Sequence, residues 1–286
     1  MKLGLVLEGG ASRALFSCGA MDALLEANIN ADFVIGVSAG IAYGTSYVSR
    51  QTGRNLELSV KYLHDKRYMG VRHLLNPKKR SYYNMDFAFR EIPWKLVPFD
   101  FEAFREYSKN STVVAGLTNM DTGKIEYREL PTDDWDLHLR LLWASCSLPF
   151  LFQPEIIDGV PYMDGGICDP IPFRQALDSG CDKIITVLTR ERNYSKHSEF
   201  STRLASRTFK KHTEFSRALR ERSEKYNNAR RELFDLADSG KAIVIAPTDT
   251  TGFKRTERDP EKLQELYYDG YNTTKKMIPQ IKEYLA

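Results

Sequence analysis

A serine between two glycines is the residue of this chain best suited to nucleophilic chemistry. Ser38 lies between Gly36 and Gly40 in a GVSAG sequence, directly after the apolar residues 33–35. A G-x-S-x-G pattern between a strand and a helix is typical of a nucleophile elbow, a tight turn that needs small flanking residues. The turn presents the hydroxyl at a helix N-terminus, where developing negative charge is favoured. The pattern therefore predicts Ser38 as the nucleophile of an acyl-transfer reaction.

A glycine-rich loop near the start of the chain is suited to stabilising the oxyanion of such a reaction. Gly9, Gly10 and Ala11 lie where an apolar run, residues 3–7, leads into a helical segment. Small residues leave their backbone N–H groups free to point at one position. The residue after the nucleophile, Ala39, can add its own N–H. We therefore predict an oxyanion hole formed by these four residues.

Two kinds of residue could act as the base. A Ser-His-Asp triad would need a histidine, and the chain has five: His64, His73, His138, His197 and His212. None of these histidines follows a strand in a loop that contains glycine or proline. Asp164 follows the short strand predicted at 160–163, and Gly165 and Gly166 after it allow a sharp turn. Because an aspartate with a pKa of about 3.9 is a weak base, this carboxyl group would need a desolvated setting. The residues alone leave open a second interpretation, in which Asp-Gly-Gly is only a turn.

The elements that must position these residues alternate along the chain. Apolar runs predict buried strands at residues 3–7 and 183–188 and a further strand at 33–35, and residues 112–117 and 124–130 are predicted to form a hairpin. Helical spacing of apolar residues predicts helices at 14–27, 39–49, 135–145 and 261–285, the last interrupted at Pro279. This alternation predicts an open α/β sheet between helices, and we expect one domain over residues 1–286.

Composition limits the class of protein. The 286 residues are 42% hydrophobic and 28% charged with a net charge of +3, which indicates a globular protein rather than a disordered one. Apolar runs are too short for a membrane span, and Glu8 comes too early for a signal peptide, so we expect a cytoplasmic protein. The four cysteines lack C-x-x-C spacing, so neither a metal site nor a cofactor is predicted.

Taken in order, three motifs resemble the patatin-like phospholipase family. They are GGASRA at residues 9–14, GVSAG at 36–40 and DGG at 164–166; residues 144–149 and 169–172 also resemble bacterial members. The resemblance spans about residues 3–190 and implies a three-layer α/β/α fold with a mainly parallel central sheet. It further implies a serine lipid acyl hydrolase acting on a lipid or acyl ester without a cofactor. In that hydrolase Ser38 and Asp164 form a Ser–Asp dyad, and the oxyanion hole lies around Gly10 and Ala11.

The chain departs from the family at two positions where glycine is usual. These are Ala11 and Ala14. A left-handed backbone at position 11 would cost alanine about 1–2 kcal/mol, so we expect a conformation that alanine tolerates. Arg13 keeps the family's basic position, and it could either contact a lipid phosphate or pair with an acid such as Glu8.

Two further segments have a distinctive composition. An aromatic, proline-rich segment near 68–107 is predicted to be an insertion that shapes an acyl-chain pocket, with Phe87 and Phe89 affecting chain-length preference. A basic segment near 200–231 is predicted to be helical. It forms either a solvated face or a peripheral contact with an anionic membrane. No nucleic-acid-binding module accompanies the charge, so no nucleic-acid partner is predicted.

Two alternative functions fit parts of the sequence. One is a histidine-dependent hydrolase of soluble esters, and the other is a catalytically inactive lipid- or membrane-binding module of the same fold. Dinucleotide binding by residues 9–14 is excluded because their spacing does not match G-x-G-x-x-G.

Overall fold

The computed structural model describes residues 1–75, 81–197, 204 and 207–286. Within these residues the strands are β1 (Leu3–Leu7), β2 (Phe33–Val37), β3 (Thr112–Asn119), β4 (Ile125–Glu129), β5 (Glu155–Ile157), β6 (Val160–Asp164), β7 (Lys183–Val187) and β8 (Ile243–Ile245). The α-helices are α1 (Leu15–Glu26), α2 (Ala39–Val48), α3 (Arg54–Tyr62), α4 (Phe101–Ser108), α5 (Trp135–Cys146), α6 (Phe173–Asp178), α7 (Thr213–Asp238) and α8 (Pro260–Leu285). Shorter 3₁₀ turns cover Ala11–Ala14, Val71–Leu75 and Gly165–Ile167, and a π-helix covers Phe87–Leu96.

These strands form one mainly parallel sheet. Its order is β5-β6-β3-β2-β1-β7-β8, with β4 beside β3. Strands β3, β2, β1, β7 and β8 pair in parallel, whereas β4 and β6 run antiparallel to β3. In the register, Leu7 pairs with both Gly36 and Val187, so the carboxyl ends of the three central strands meet at one edge. This is the edge at which open α/β sheets bind ligands.

Side chains of β1 alternate between two helical layers. Leu5 and Leu7 belong to the cluster that contains the apolar faces of α1, α2 and α8, whereas Val6 belongs to the cluster with α6 and α7. All five residues of β1 are buried, as expected for a strand covered on both faces. The predicted three-layer α/β/α fold is therefore confirmed.

Helices α1 and α8 cross in direct backbone contact. A Cβ atom added to Gly19 would overlap the carbonyl oxygen of Tyr267, and one added to Gly270 would overlap that of Phe16. The hydroxyl of Tyr267 also donates to the Asp22 carboxyl group at 2.5 Å across this crossing. Glycine is therefore required on both helices for this close approach.

The predicted interruption of the final helix at Pro279 is wrong, because α8 continues through this residue to Leu285. Proline removes the hydrogen bond to the carbonyl of Lys275. Both residues lie on the exposed side of the helix, where water can bind that carbonyl. The opposite side holds the helix in place through the buried Leu263 and Ile281.

Most of the described part of the basic segment is helical: α7 begins at Thr213, after a turn at residues 209–212, and residues 198–203 and 205–206 lie outside the described residues. Its basic side chains do not share one face. The Arg222 Nε donates to the carbonyl oxygen of Gly166 at 3.0 Å, and the buried Arg230 donates to that of Glu191 at 2.6 Å. Other arginines of α7 stay exposed, so contact with an anionic membrane stays a prediction.

Candidate active site

Ser38 occupies the turn between β2 and α2 in a strained backbone conformation. Its φ is 55° and its ψ is −138°, a region that non-glycine residues seldom adopt. The Ser38 N–H donates to Ser145 Oγ at 2.9 Å, and that hydroxyl donates to the carbonyl oxygen of Gly116 at 2.8 Å. A Cβ atom on Gly40 would lie 2.6 Å from the carbonyl oxygen of Leu7. The elbow therefore depends on glycine at position 40 and on support from α5.

Asp164 ends β6 and lies beside Ser38. Its carboxyl group lines the same small cavity as Ser38 and accepts the N–H of Gly166 at 2.8 Å. Burial raises the pKa of Asp164, while the hydrogen bond from Ser38 and the positive charges of Arg222 and Arg255 act in the opposite direction. The carboxyl group is thus a stronger base than an exposed aspartate, and it lines the same small cavity as the serine.

Gly36 and Gly165 hold the two catalytic candidates close together. A Cβ atom on Gly36 would lie 2.9 Å from the carbonyl oxygen of Leu7, and one on Gly165 would overlap the carbonyl oxygen of Gly116. Both glycines therefore allow neighbouring backbones to approach where a larger residue would push them apart.

The glycine-rich loop faces the serine. A Cβ atom on Gly9 would lie 2.8 Å from the Ser38 Cβ, and one on Gly10 would lie 2.7 Å from the Thr189 Oγ1. Among the described residues, none accepts a hydrogen bond from the backbone N–H groups of Gly9, Gly10 or Ala11. Ala39 begins α2 and lines the cavity beside Ser38. The predicted donors are thus near the serine with their N–H groups available.

The conformations of the two alanines differ. Ala11 has a φ of 49°, in the left-handed region, so the expectation of a tolerated conformation is wrong. The Ser12 N–H donates to the carbonyl oxygen of Arg255 at 3.0 Å, which helps to hold this part of the loop. Ala14 has a φ of −67° and is fully buried, a setting that suits alanine.

Arg13 is a buried cation beside the glycine-rich loop. Only 9% of the residue is exposed, and its guanidinium group donates to no side chain or carbonyl of the described residues. The Glu8 carboxylate is held instead by the Tyr226 hydroxyl at 2.6 Å and the Thr189 N–H at 2.5 Å. Burial and nearby arginines lower the pKa of Arg13 to about 10, so it stays protonated at neutral pH.

Two cavities of different character meet at Ser38. One has a volume of about 150 Å³ and is mainly apolar, and its aromatic lining includes Tyr43, Tyr68, Tyr83, Phe89, Phe99 and Phe152. The other has a volume of about 40 Å³ and contains Asp164, Arg13 and the glycine-rich loop. The serine thus has an apolar space on one side and a charged space on the other.

The aromatic segment supplies one wall of the apolar cavity. Phe89 of the π-helix lines it, whereas Phe87 is fully buried and packs edge-on against Tyr62 and Tyr68. Residues 76–80 of this segment lie outside the described residues.

All five histidines fall within the described residues, and none of them lines the cavity that holds Asp164. His138 lines the apolar cavity, but its Nδ1 is 3.0 Å from the carbonyl oxygen of Pro131, and burial lowers its pKa to about 4. It lies two helical turns before Ser145, about 10 Å along α5. This geometry does not place an imidazole between Ser38 and Asp164.

Sequence reasoning missed several residues around Ser38. Ser145 holds the elbow, and Cys146 lines the apolar cavity together with Ser38. Burial and the charge of Asp164 raise the pKa of Cys146, so the thiol stays neutral. The ASCSLP sequence at 144–149 marked this region without assigning these contacts.

In the described residues, no group of histidine, cysteine, aspartate and glutamate side chains is arranged to hold a metal ion. The helices described in the structure include none that is both long and apolar enough to span a bilayer.

The family model described as Patatin-like phospholipase matches residues 5–177, well over half of the chain. The chain belongs to the patatin-like phospholipase family. A second model, described as Domain of unknown function (DUF6363), matches residues 212–286, which include α7, β8 and α8. The family match contains every residue predicted for the dyad and the oxyanion hole.

Relatives of this patatin-like chain include a protein of Escherichia coli strain K12 described as Uncharacterized protein YjjU. It is 24% identical over 192 residues, 66% of this chain and 52% of that protein. Lysophospholipase NTE1 of Meyerozyma guilliermondii is 30% identical over 189 residues, 65% of this chain and 12% of that protein. The matched region thus spans about half of the first relative and a small part of the second.

Among solved structures, VipD from Legionella pneumophila has a similar fold. The TM-score is 0.52 at 15% sequence identity, over 98% of this patatin-like chain and 67% of VipD.

Proposed function

We propose that this patatin-like protein is a serine hydrolase of lipid acyl esters that uses a Ser38–Asp164 dyad. The observation that carries the proposal is that Ser38 and the buried Asp164 carboxyl group line the same small cavity, next to backbone N–H groups that have no described acceptor. A nucleophile, a base in contact with it and oxyanion donors are the groups that acyl transfer requires.

In the proposed reaction, Ser38 Oγ attacks the ester carbonyl carbon and transfers its proton to the Asp164 carboxylate. The N–H groups of Gly9, Gly10, Ala11 and Ala39 are the proposed donors to the oxyanion. Asp164 then returns the proton to the leaving alcohol, and an acyl-enzyme remains on Ser38. Water, deprotonated by Asp164, attacks the acyl carbonyl; Asp164 then returns this proton to Ser38 Oγ as the bond to the acyl group breaks and the fatty acid leaves.

The apolar cavity supports a lipid rather than a small polar ester as the source of the acyl group. It begins at Ser38 and is walled by aromatic side chains, so that an acyl chain seated there would leave its ester carbonyl at the serine. NTE1, a relative, carries the name lysophospholipase, which agrees with a substrate of this class.

The test compares Ser38→Ala and Asp164→Asn with the same substitutions at another serine and another aspartate. Asp169 is a partly buried carboxyl group nearby in the sequence, but it accepts a hydrogen bond from Tyr127 and lies outside both cavities. Ser147 is a buried serine whose hydroxyl donates to the carbonyl oxygen of Trp143. We expect Asp164→Asn to lower kcat/KM on a monoacylglycerol by about 10²–10⁴-fold, and Asp169→Asn and Ser147→Ala to stay near wild type.

The same experiment separates the alternatives. A fluorophosphonate probe should label wild-type protein and leave Ser38→Ala unlabelled. Near-normal activity of Asp164→Asn would reject the dyad and favour a histidine-dependent hydrolase. Folded wild-type protein that neither reacts with the probe nor hydrolyses esters would identify an inactive lipid-binding module.

A further inference from the structure

The small cavity beside Ser38 carries a concentration of positive charge. Its cationic lining consists of Arg13, Arg190, Lys196, Arg222 and Arg255. They come from four separate parts of the chain: the glycine-rich loop, the segment after β7, helix α7 and the segment before α8. All except Arg13 lie outside the residues that match the patatin-like family model. Four of the five cations of the cavity therefore come from the C-terminal half of the chain, whereas Ser38, Asp164 and the glycine-rich loop come from the region that matches the family model.

Among the described residues that line the cavity, the cations outnumber the acids. Glu8 and Asp164 are the acids among its described lining residues. Both oxygens of Glu8 already accept hydrogen bonds, from Tyr226 and from Thr189. The guanidinium group of Arg13 is nine-tenths buried and has no acceptor among the described residues. A buried cation without a partner is costly, so this cavity favours an anionic ligand that accepts several hydrogen bonds.

Arg190 is arranged in a similar way. One of its terminal nitrogens donates to the Thr250 Oγ1 at 2.5 Å, while its buried Nε has no acceptor among the described residues. Its guanidinium group lies 4.4 Å from the ring centre of Tyr194, and Lys196 lies 5.2 Å from that of Tyr226. The aromatic faces of the cavity are therefore occupied by the protein's own cations. They offer little to a quaternary ammonium group, which would also meet like charge.

Size and charge together select the ligand. A volume of about 40 Å³ suits a compact group. A phosphate monoester carries a charge of about −1.5 to −2 at neutral pH and presents three strong acceptor oxygens. Such a group matches several converging guanidinium groups better than a phosphodiester that carries a bulky cationic headgroup.

We propose that this cavity binds a terminal phosphate monoester, and that the preferred substrates are lysophosphatidic-acid-type esters rather than choline phospholipids. The proposal rests on the proposed hydrolase function, because it assigns the cavity on one side of Ser38 to the phosphate while the acyl chain occupies the other. The same chemistry would also bind free phosphate, and the experiment distinguishes the two sources.

The kinetic part uses three esters with one acyl chain, presented in neutral mixed micelles at fixed ionic strength: lysophosphatidic acid, lysophosphatidylcholine and monoacylglycerol. The test variant is Arg190→Gln, and its matched control is Arg192→Gln, an exposed arginine nearby that pairs with Asp238. We expect wild type to prefer lysophosphatidic acid over lysophosphatidylcholine by at least about tenfold in kcat/KM. Arg190→Gln should lower the ratio of lysophosphatidic acid to monoacylglycerol activity about tenfold, whereas Arg192→Gln should leave it near the wild-type value.

A second pair of variants tests the same prediction in case Arg190→Gln fails to fold. Arg255→Gln should lower the same ratio, and the control Lys254→Gln removes the adjacent exposed charge, which does not line the cavity. Wild-type protein that hydrolyses both phospholipids equally, or cavity variants that retain the wild-type ratio, would overturn the proposal.

The binding part uses inorganic phosphate and the Ser38→Ala protein, so it does not depend on catalysis. Phosphate should raise Tm relative to chloride at equal ionic strength, and Arg190→Gln should remove most of this shift. Hydrolysis retained by Ser38→Ala would reject the proposed function while this phosphate effect could still be measured. Phosphate binding without any preference for the phosphate-bearing ester would overturn the substrate assignment and identify a site for free phosphate instead. Absence of a shift would overturn the phosphate site itself.

Discussion

Glycine at position 11 should stabilise the protein, and glycine at position 14 should destabilise it. Ala11 has a φ of 49°, which costs a non-glycine residue about 1–2 kcal/mol. Glycine removes this strain, but its greater conformational freedom in the unfolded chain destabilises the folded protein by about 0.4–1 kcal/mol. The net effect of Ala11→Gly is therefore an increase of about 0.5–1 kcal/mol in the free energy of unfolding.

Ala14 provides the matched control three residues further along. Its φ of −67° carries no strain, and its methyl group is fully buried. Ala14→Gly loses about 0.5–1 kcal/mol through backbone freedom and about 0.8 kcal/mol through the missing methyl group. The free energies of unfolding of the two variants should thus differ by about 2 kcal/mol, with opposite signs relative to wild type.

Urea unfolding followed by fluorescence and circular dichroism measures both variants under identical conditions. Ala11→Gly should shift the midpoint to higher urea without changing the slope, and Ala14→Gly should shift it to lower urea. Equal destabilisation by both substitutions would refute the assignment of strain to position 11. Stabilisation by both would contradict the cost expected at position 14 from backbone freedom and from the lost methyl group.

Two further predictions concern the dyad and the apolar cavity. Arg222→Gln removes a charge that lowers the pKa of Asp164, so the pKa should rise and the acid limb of kcat/KM on a neutral ester should move to higher pH. A limb that stays in place or moves to lower pH would contradict the role of Asp164 as the base. Phe89→Ala should widen the cavity and shift the chain-length preference, whereas Phe87→Ala should lose about 3–5 kcal/mol of stability because its ring is buried in the core. A chain-length panel and urea unfolding test this pair, and a changed preference in stable Phe87→Ala would contradict it.

The central elements could be predicted from sequence because their signals are local. A continuous apolar run defines β1, and the glycines around Ser38 indicate a tight turn before a helix. The proposed role of Asp164 also follows from a local signal, the two glycines after a short strand. What these patterns could not give is the contact with Ser38, which depends on the pairing of β6 with β3.

Other features depend on contacts between distant parts of the chain. The φ of Ala11 could not be predicted, because Ser12 is held by the backbone of Arg255, far away in the sequence. The cationic cavity was missed for the same reason, since its members are spread over residues 13–255. Pro279 misled the prediction because its effect on a helix depends on whether the freed carbonyl faces water.

The crossing of α1 and α8 affects how the chain folds during its synthesis. Ten of the twelve residues of α1 are buried, and the tyrosine that bonds its Asp22 lies 245 residues further on. During synthesis, the apolar surface of α1 therefore stays exposed, together with the loop before it, until α8 has been translated. We expect that interval to call for chaperone protection, and a recombinant fragment cut at the family-model boundary, residue 177, to aggregate.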